Sequence, residues 1–242
     1  MTVNLPDARP TAEKNAELVR QMFDRVAPKY DLGNTVLSMG SDQHWRRVLV
    51  NTINPKRGMR ILDVATGTAP LARLLAQTGA DVVGLDFSQG MLAAGAKQDA
   101  AKGLAPLKLV NGDGNRLPFA DNQFDALTIA FGLRNFPDPK GALREFSRVV
   151  RPGGLVCVLE FSTPTNWLFN RIYTDYLVAA LPALAQVFTS DPHAYSYLAD
   201  SILAWPHQRD LARWFAEAGL NQPRWQNLSG GIVALHVGEG AC

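Results

Sequence analysis

Short apolar runs recur along the chain and alternate with segments of helical period. The apolar runs, which are typical of buried strands, cover residues 60–64, 81–86, 107–111, 124–131 and 155–161. The helical patterns between them cover residues 71–77, 89–101 and 139–149. Strands that alternate with helices predict an α/β fold with a parallel sheet covered on both faces and right-handed crossovers. Ligands of such sheets bind at the carboxyl ends of the strands.

Two helical patterns precede the first apolar run. Residues 12–26 and residues 36–50 each place apolar side chains on one helical face. We predict that residues 1–10, which are polar and contain two prolines, form a flexible tail. The remaining residues 11–242 are predicted to form a single domain, on which residues 11–57 make a helical cap.

The pattern changes after the fifth apolar run. Residues 162–206 are rich in aromatic residues, leucine and alanine, and they predict a helical insertion. A helix over residues 208–218 and two strands over residues 224–228 and 232–237 follow. The strands are joined by Ser229-Gly230-Gly231, a hairpin turn, and we expect the hairpin to add an antiparallel edge to the sheet.

Composition narrows the classes of protein that the chain can belong to. Its 242 residues are 47% hydrophobic and 19% charged, with a net charge of +2, which argues against a nucleic-acid binder driven by bulk charge. Two cysteines, Cys157 and Cys242, provide no disulfide framework, and no histidine has metal-ligand spacing. The longest uncharged apolar stretch, residues 176–188, is too short to span a bilayer and contains Pro182. We therefore predict a cytoplasmic protein without a metal site.

The candidate chemistry begins where the first strand ends. Residues 60–76 read as a strand, a turn of small residues and a helix, which is the entry to a nucleotide-binding βαβ unit. The apolar run breaks off at Asp63, and the second strand ends at Asp86. An acid at the second position accepts hydrogen bonds from ribose hydroxyls. Asp63 could instead be a helix cap or turn residue, and the pair suits NAD as well as S-adenosylmethionine.

The turn residues weaken the NAD interpretation. A dinucleotide site needs three glycines, whereas the corresponding positions here are Ala65, Gly67 and Pro70. The segment Asn111-Gly112-Asp113-Gly114-Asn115 follows the third strand. Its acid or amide groups could bind the exocyclic amine of an adenine, although the segment could also be a plain turn.

Several further segments resemble a known family. Arg116 to Asp125 and Arg151-Pro152-Gly153-Gly154 are similar to class I S-adenosylmethionine-dependent methyltransferases. Ala130-Phe131-Gly132-Leu133-Arg134-Asn135 resembles more narrowly the ubiquinone and menaquinone biosynthesis C-methyltransferases, as do residues 27–31, 159–162 and 227–236. The resemblance runs from about residue 23 to residue 237.

This resemblance implies a Rossmann-like methyltransferase fold, with a seven-stranded, mostly parallel sheet whose last strand is antiparallel. It also implies S-adenosylmethionine as cofactor and methyl transfer to a ring carbon of a polyprenylated quinol. The overall look of the sequence favours demethylmenaquinol over a ubiquinone precursor as substrate.

The resemblance also implies a set of cofactor-binding residues, which are Asp63, Ala65, Gly67, Thr68, Asp86, Phe87, Asp113, Gly114 and Ala130. The turn departs from the family, which has more glycines where this chain has Thr66 and Ala69. We expect the methyl groups at these positions to narrow the methionine pocket. Some members of the family have serine at the position of Ala130.

The reaction itself requires a small set of groups. A quinol ring carbon becomes nucleophilic only when the neighbouring hydroxyl loses its proton, so the site needs a base and a partner for the phenolate. We predict that Arg134 stabilises the phenolate or positions a water, that Asn135 orients it, and that Tyr30 covers the cofactor or touches the ring. Alternatively, Arg134 pairs with Asp138 in a loop, and Tyr30 is a core residue. Glu160 is a weaker candidate for the base.

The aromatic insertion suits a lipid-soluble substrate. Its side chains could line a groove for the isoprenoid tail or contact a membrane surface, and the plainer alternative is a helical cap with its own core. We hypothesise peripheral membrane contact, and we leave self-association into a homo-oligomer open. Rival functions are a methyltransferase of the ubiquinone pathway or for another small phenol, and a non-catalytic Rossmann-like binding module.

Overall fold

The computed structural model describes residues 40–176 and 192–241. For residues 192–196 it describes the backbone only. The predicted tail, the helix over residues 12–26 and the position of Tyr30 lie outside the described residues. The division of the chain into a domain with a cap and an insertion therefore stays a prediction.

Seven strands form one sheet. In chain order they are β1 (Arg60–Val64), β2 (Asp81–Asp86), β3 (Lys108–Asn111), β4 (Phe124–Ala130), β5 (Val150–Phe161), β6 (Leu220–Leu228) and β7 (Val233–Gly240). Their order across the sheet is β3-β2-β1-β4-β5-β7-β6. Strand β7 runs antiparallel to both of its neighbours, and the pairs from β3 to β5 are parallel. The prediction of a mostly parallel sheet with an antiparallel last strand is confirmed.

The described helices are α1 (Ser41–Ile53), α2 (Pro70–Ala76), α3 (Gln89–Ala101), α4 (Pro139–Val149), α5 (Trp167–Asp175), α6 (Pro192–Leu203) and α7 (Gln208–Glu217). Local sequence explains their ends. Asp138 caps α4 by accepting the N–H of Gly141 at 2.8 Å, and Pro139 occupies the first turn, where its missing N–H has no helical partner to lose. Ser88 caps α3 by accepting the N–H of Met91 at 3.1 Å.

The sheet is covered by apolar clusters on both faces. Leu62 and Val64 of β1 pack in one cluster with Phe146 of α4, whereas Ile61 packs in the other with Leu49 of α1. Alternate side chains of a strand point to opposite faces, so the continuous apolar run of β1 fits a strand buried on both sides.

Three strand boundaries differ from the prediction by three residues or more, and one of them is the end of β7, which lies at Gly240 rather than at residue 237. Strand β6 begins at Leu220 rather than at residue 224, and its pairing with β7 shifts register between Asn221 and Arg224. Pro223 lies at this irregularity on an edge strand, where its missing N–H does not break a ladder. Strand β5 begins at Val150, before the two glycines of the segment Arg151-Pro152-Gly153-Gly154.

The described part of the insertion contains α5 and α6. Trp167, Leu168 and Ile172 on α5 are exposed, and α6 buries Tyr197, Ala199 and Ile202. Within the described ranges, no helix is long and apolar enough to cross a membrane.

Candidate active site

A cavity lies at the carboxyl ends of β1, β2 and β4. Its lining includes all nine residues that were predicted to bind the cofactor, together with Asn135. The first turn, the end of β2, the segment after β3 and the loop after β4 each contribute part of the wall. The topology thus brings together residues that are up to 72 positions apart in sequence, as Asp63 and Asn135 are. Their contacts with a ligand stay predictions.

The first turn takes an unusual backbone path. Ala65, Gly67 and Ala69 all have left-handed backbone angles, with φ of 50°, 60° and 66°. An alanine in this region costs roughly 1 kcal/mol, which the surrounding packing must offset. The methyl group of Ala69 is buried in the core rather than in the cavity lining, so it does not narrow the cavity. Thr66 does line the cavity, so narrowing of the methionine pocket stays a prediction for Thr66 alone.

Asp63 is buried at the end of β1. Its carboxylate accepts hydrogen bonds of 2.6 Å from the hydroxyls of Thr66 and Thr128. Burial raises its pKa to about 6, although the two hydroxyls and the charge of Arg46 act in the opposite direction. Asp63 therefore stabilises the turn, as the alternative interpretation expected, and it also lines the cavity.

Asp86 ties the end of β2 to the first turn. One carboxylate oxygen accepts the N–H of Gly67 at 2.7 Å, and the other accepts the N–H of Ser88 at 2.8 Å. These two bonds fix the orientation of the carboxylate. This arrangement suits a pair of neighbouring ribose hydroxyls. Phe87, which follows, is 43% exposed and lines the same cavity.

The segment after β3 is a tight turn. Asp113 accepts the N–H of Asn115 at 2.8 Å, as in a plain Asx turn. A β-carbon on Gly114 would lie 2.5 Å from Cζ of Phe136, so only glycine fits there. Asp113 therefore forms a turn, as the alternative interpretation expected, and it also lines the cavity.

Arg134 occupies a different environment from the one predicted. It is only 4% exposed, and the cavity lining contains Phe131, Gly132 and Asn135 of its loop but not Arg134. Its guanidinium forms a 2.8 Å ion pair with Glu160 and donates to the Phe131 carbonyl at 2.5 Å. The alternative that Arg134 pairs with Asp138 is wrong.

Local geometry explains why Arg134 pairs with Glu160 rather than with Asp138. Asp138 caps α4 and pairs with Arg144 at 3.6 Å, whereas β5 carries Glu160 directly beside the loop after β4. The ion pair also engages Glu160, which makes this residue a weaker candidate for a base. Arg134 further donates from Nε to the hydroxyl of Ser201 at 3.2 Å, so it links the loop to α6 of the insertion.

Sequence reasoning missed one charged residue of the cavity. Arg46 of α1 lines it, is 8% exposed and forms an ion pair with Asp42. Its guanidinium lies 5.7 Å from the centre of the Phe131 ring. A signal in the sequence could have identified Arg46 as a cavity residue. This arginine follows Trp45 on the apolar face of an amphipathic helix and lies four residues after an acid.

Comparison with known proteins decides the family. A model of the ubiE/COQ5 methyltransferase family matches residues 11–240. The chain belongs to this family. It is 52% identical over 229 residues to a protein of Corynebacterium kroppenstedtii, which covers 95% of this chain and 97% of that protein. A protein of Mycolicibacterium gilvum is 53% identical with the same coverage, and both carry the name demethylmenaquinone methyltransferase.

Solved structures support the fold of this family member. The [4+2]-cyclase SpnF superposes with a TM-score of 0.68 at 20% identity, covering 96% of this chain and 98% of that one. A methyltransferase from Aquifex aeolicus superposes with a TM-score of 0.59 at 16% identity, covering 81% and 89%. These low identities show a shared class I methyltransferase fold and nothing finer.

Proposed function

We propose that this chain transfers the methyl group of S-adenosylmethionine to a ring carbon of demethylmenaquinol and so produces menaquinol. The observation that carries the proposal is identity of 52–53% over nearly the full length of relatives named demethylmenaquinone methyltransferase. The cavity at the carboxyl edge of the sheet supports it, because its polar groups suit this methyl donor.

The donor set of the cavity fits S-adenosylmethionine. When bound, this cofactor supplies an electrophilic methyl group on a sulfonium centre. Asp86, whose carboxylate is oriented by two backbone N–H groups, would hold the ribose hydroxyls. Asp113 and Gly114 would flank the adenine, and Asp63 would face the cationic amine of the methionine part.

From the loop after β4, Asn135 would act on the quinol directly, whereas Arg134 would act through the position of the loop. Asn135 lines the cavity, and in the described part of the chain its buried Oδ1 has no hydrogen-bond partner. A buried amide oxygen without a partner is unfavourable, and a ring hydroxyl or a bridging water would satisfy it. Arg134 would position this loop through its bond to the Phe131 carbonyl. Tyr30, which lies outside the described residues, remains a candidate to cover the cofactor.

The lipid tail suggests where the protein works. Trp167 is 75% exposed and Ile172 is 59% exposed on α5, the helix that follows the carboxyl end of β5. We propose a cytoplasmic protein that contacts the membrane surface peripherally through these side chains. Replacement of both by serine should abolish sedimentation with liposomes, and a wild-type protein that stays wholly in the supernatant would contradict the membrane contact.

Methyl transfer with two quinol classes tests the proposed reaction. Purified protein is incubated with S-adenosylmethionine labelled in its methyl group and with either a demethylmenaquinol or a benzoquinol precursor of ubiquinone. We expect label in the naphthoquinol ring carbon and much less in the benzoquinol. Equal or greater transfer to the benzoquinol would favour the ubiquinone pathway, and no transfer despite cofactor binding would favour the binding module.

A further inference from the structure

Arg46 and Asp63 place opposite charges on the wall of one cavity without pairing with each other. Both residues line the cavity, and no ion pair of 4.0 Å or less joins them, although both lie within the described ranges. They are near enough for the charge of Arg46 to affect the titration of Asp63. The two charges therefore face the same cavity from different elements, α1 and β1.

Arg46 keeps donor capacity that the described chain does not use. Guanidinium has five N–H donors, and the described partner is Asp42, bound through Nη1. Its Nε atom is buried without a hydrogen-bond partner. A buried charge with incomplete hydrogen bonding is expensive, which points to a ligand anion as the missing partner. Within the described chain, no other lysine or arginine lines this cavity.

The cofactor offers an anion of the right kind. The methionine part of S-adenosylmethionine is a zwitterion whose ammonium and carboxylate are held a fixed short distance apart on one carbon. A site for such a group needs one acid and one cation that do not neutralise each other, and planar guanidinium binds carboxylate with two parallel hydrogen bonds.

We propose that Arg46 binds the α-carboxylate of the methionine part of S-adenosylmethionine, opposite Asp63 on the ammonium. The inference rests on the proposed function for its cofactor and adds the residue that anchors the amino-acid end. Helix α1 thereby becomes part of the cofactor site as well as a cover on the sheet. A rival role for the same cation is stabilisation of the quinol phenolate.

Calorimetric titration with two ligands separates these roles without measuring activity. S-adenosylhomocysteine keeps the α-carboxylate, and decarboxylated S-adenosylhomocysteine lacks it but keeps the amine. We expect Arg46→Gln to weaken binding of the first ligand about tenfold to a hundredfold, the effect of losing a charged hydrogen bond, and to leave the second nearly unchanged. Arg47→Gln is the matched control, because Arg47 is exposed on the same helix and carries the same charge.

Three outcomes would overturn the inference. Equal weakening of both ligands would mean that Arg46 acts through the fold, and unchanged binding of both would assign it to the quinol. If wild type binds the two ligands equally, the carboxylate has no partner at all. Failure of wild type to bind S-adenosylhomocysteine would instead refute the proposed function itself.

A second variant covers a failure of Arg46→Gln to fold, since removal of the cation leaves the buried Asp42 without its ion pair. Arg46→Lys keeps the charge but loses the planar fork, and we expect a smaller loss that is again confined to the ligand with a carboxylate. A loss shared by both ligands in this variant would contradict the inference as well.

Discussion

Removal of Arg134 alone from its buried ion pair with Glu160 should strongly destabilise the protein and disturb the site. Both side chains are at most 5% exposed, and their charged atoms lie 2.8 Å apart. Arg134→Ala leaves the Glu160 carboxylate buried without its cation, which costs about 3–5 kcal/mol in comparable buried pairs. In a chain of this size, that loss lowers the melting temperature by roughly 6–20 °C.

Chemical denaturation measures this free energy directly. Arg144→Ala is the matched control, because Arg144 is exposed and its 3.6 Å pair with Asp138 should be worth less than about 1 kcal/mol. The double variant Arg134→Met with Glu160→Met removes both charges and should recover most of the lost stability. If Arg134→Ala costs less than about 1 kcal/mol, or if the double variant is no more stable than the single one, the buried pair does not stabilise the fold in this way.

Three further predictions concern the cavity and the sheet. Because the pKa of Asp63 is raised to about 6, binding of S-adenosylhomocysteine should weaken between about pH 7 and about pH 5, and Asp63→Asn should flatten this dependence in calorimetry. Burial lowers the pKa of His236 to about 4, so the unfolded chain binds a proton at this residue at a higher pH than the folded chain does. The free energy of unfolding should therefore fall by roughly 3 kcal/mol as the pH drops from 6.5 to 4. Denaturant titrations across this range measure the fall, and an equally steep fall in a His236→Gln variant would contradict the prediction. Gly114→Ala should cost roughly 1–3 kcal/mol in thermal unfolding, because its methyl group would meet the ring of Phe136, and Phe136→Leu in the same chain should recover part of the loss.

Much of the cavity was predictable because parallel strands end at one edge. Asp63 and Asp86 each follow an apolar run, and strands that pair in parallel must bring such ends together. The helices α3 and α4 were also predicted at their observed bounds from their helical period, and Ser88 and Asp138 cap their N-termini in the structure.

Features that depend on side-chain contacts between residues distant in sequence were not predicted. The partner of Arg134 lies 26 residues away on a neighbouring strand, whereas the expected partner, Asp138, lies nearby in the chain. Arg46 was hidden because its helix precedes the nucleotide-binding unit and shows only an amphipathic pattern. The start of β6 was missed because Pro223 argues against a strand unless the strand lies at an edge with an irregular register.

Titration with S-adenosylhomocysteine tests most directly whether the cavity is the cofactor site. Asp86→Ala removes the carboxylate at the carboxyl end of β2, and Asp81→Ala is the control because Asp81 lies at the opposite end of the same strand in an exposed pair with Lys108. We predict binding by wild type and by Asp81→Ala, and binding weakened at least about tenfold in Asp86→Ala. Equal affinity in all three proteins would place the cofactor elsewhere and contradict the account.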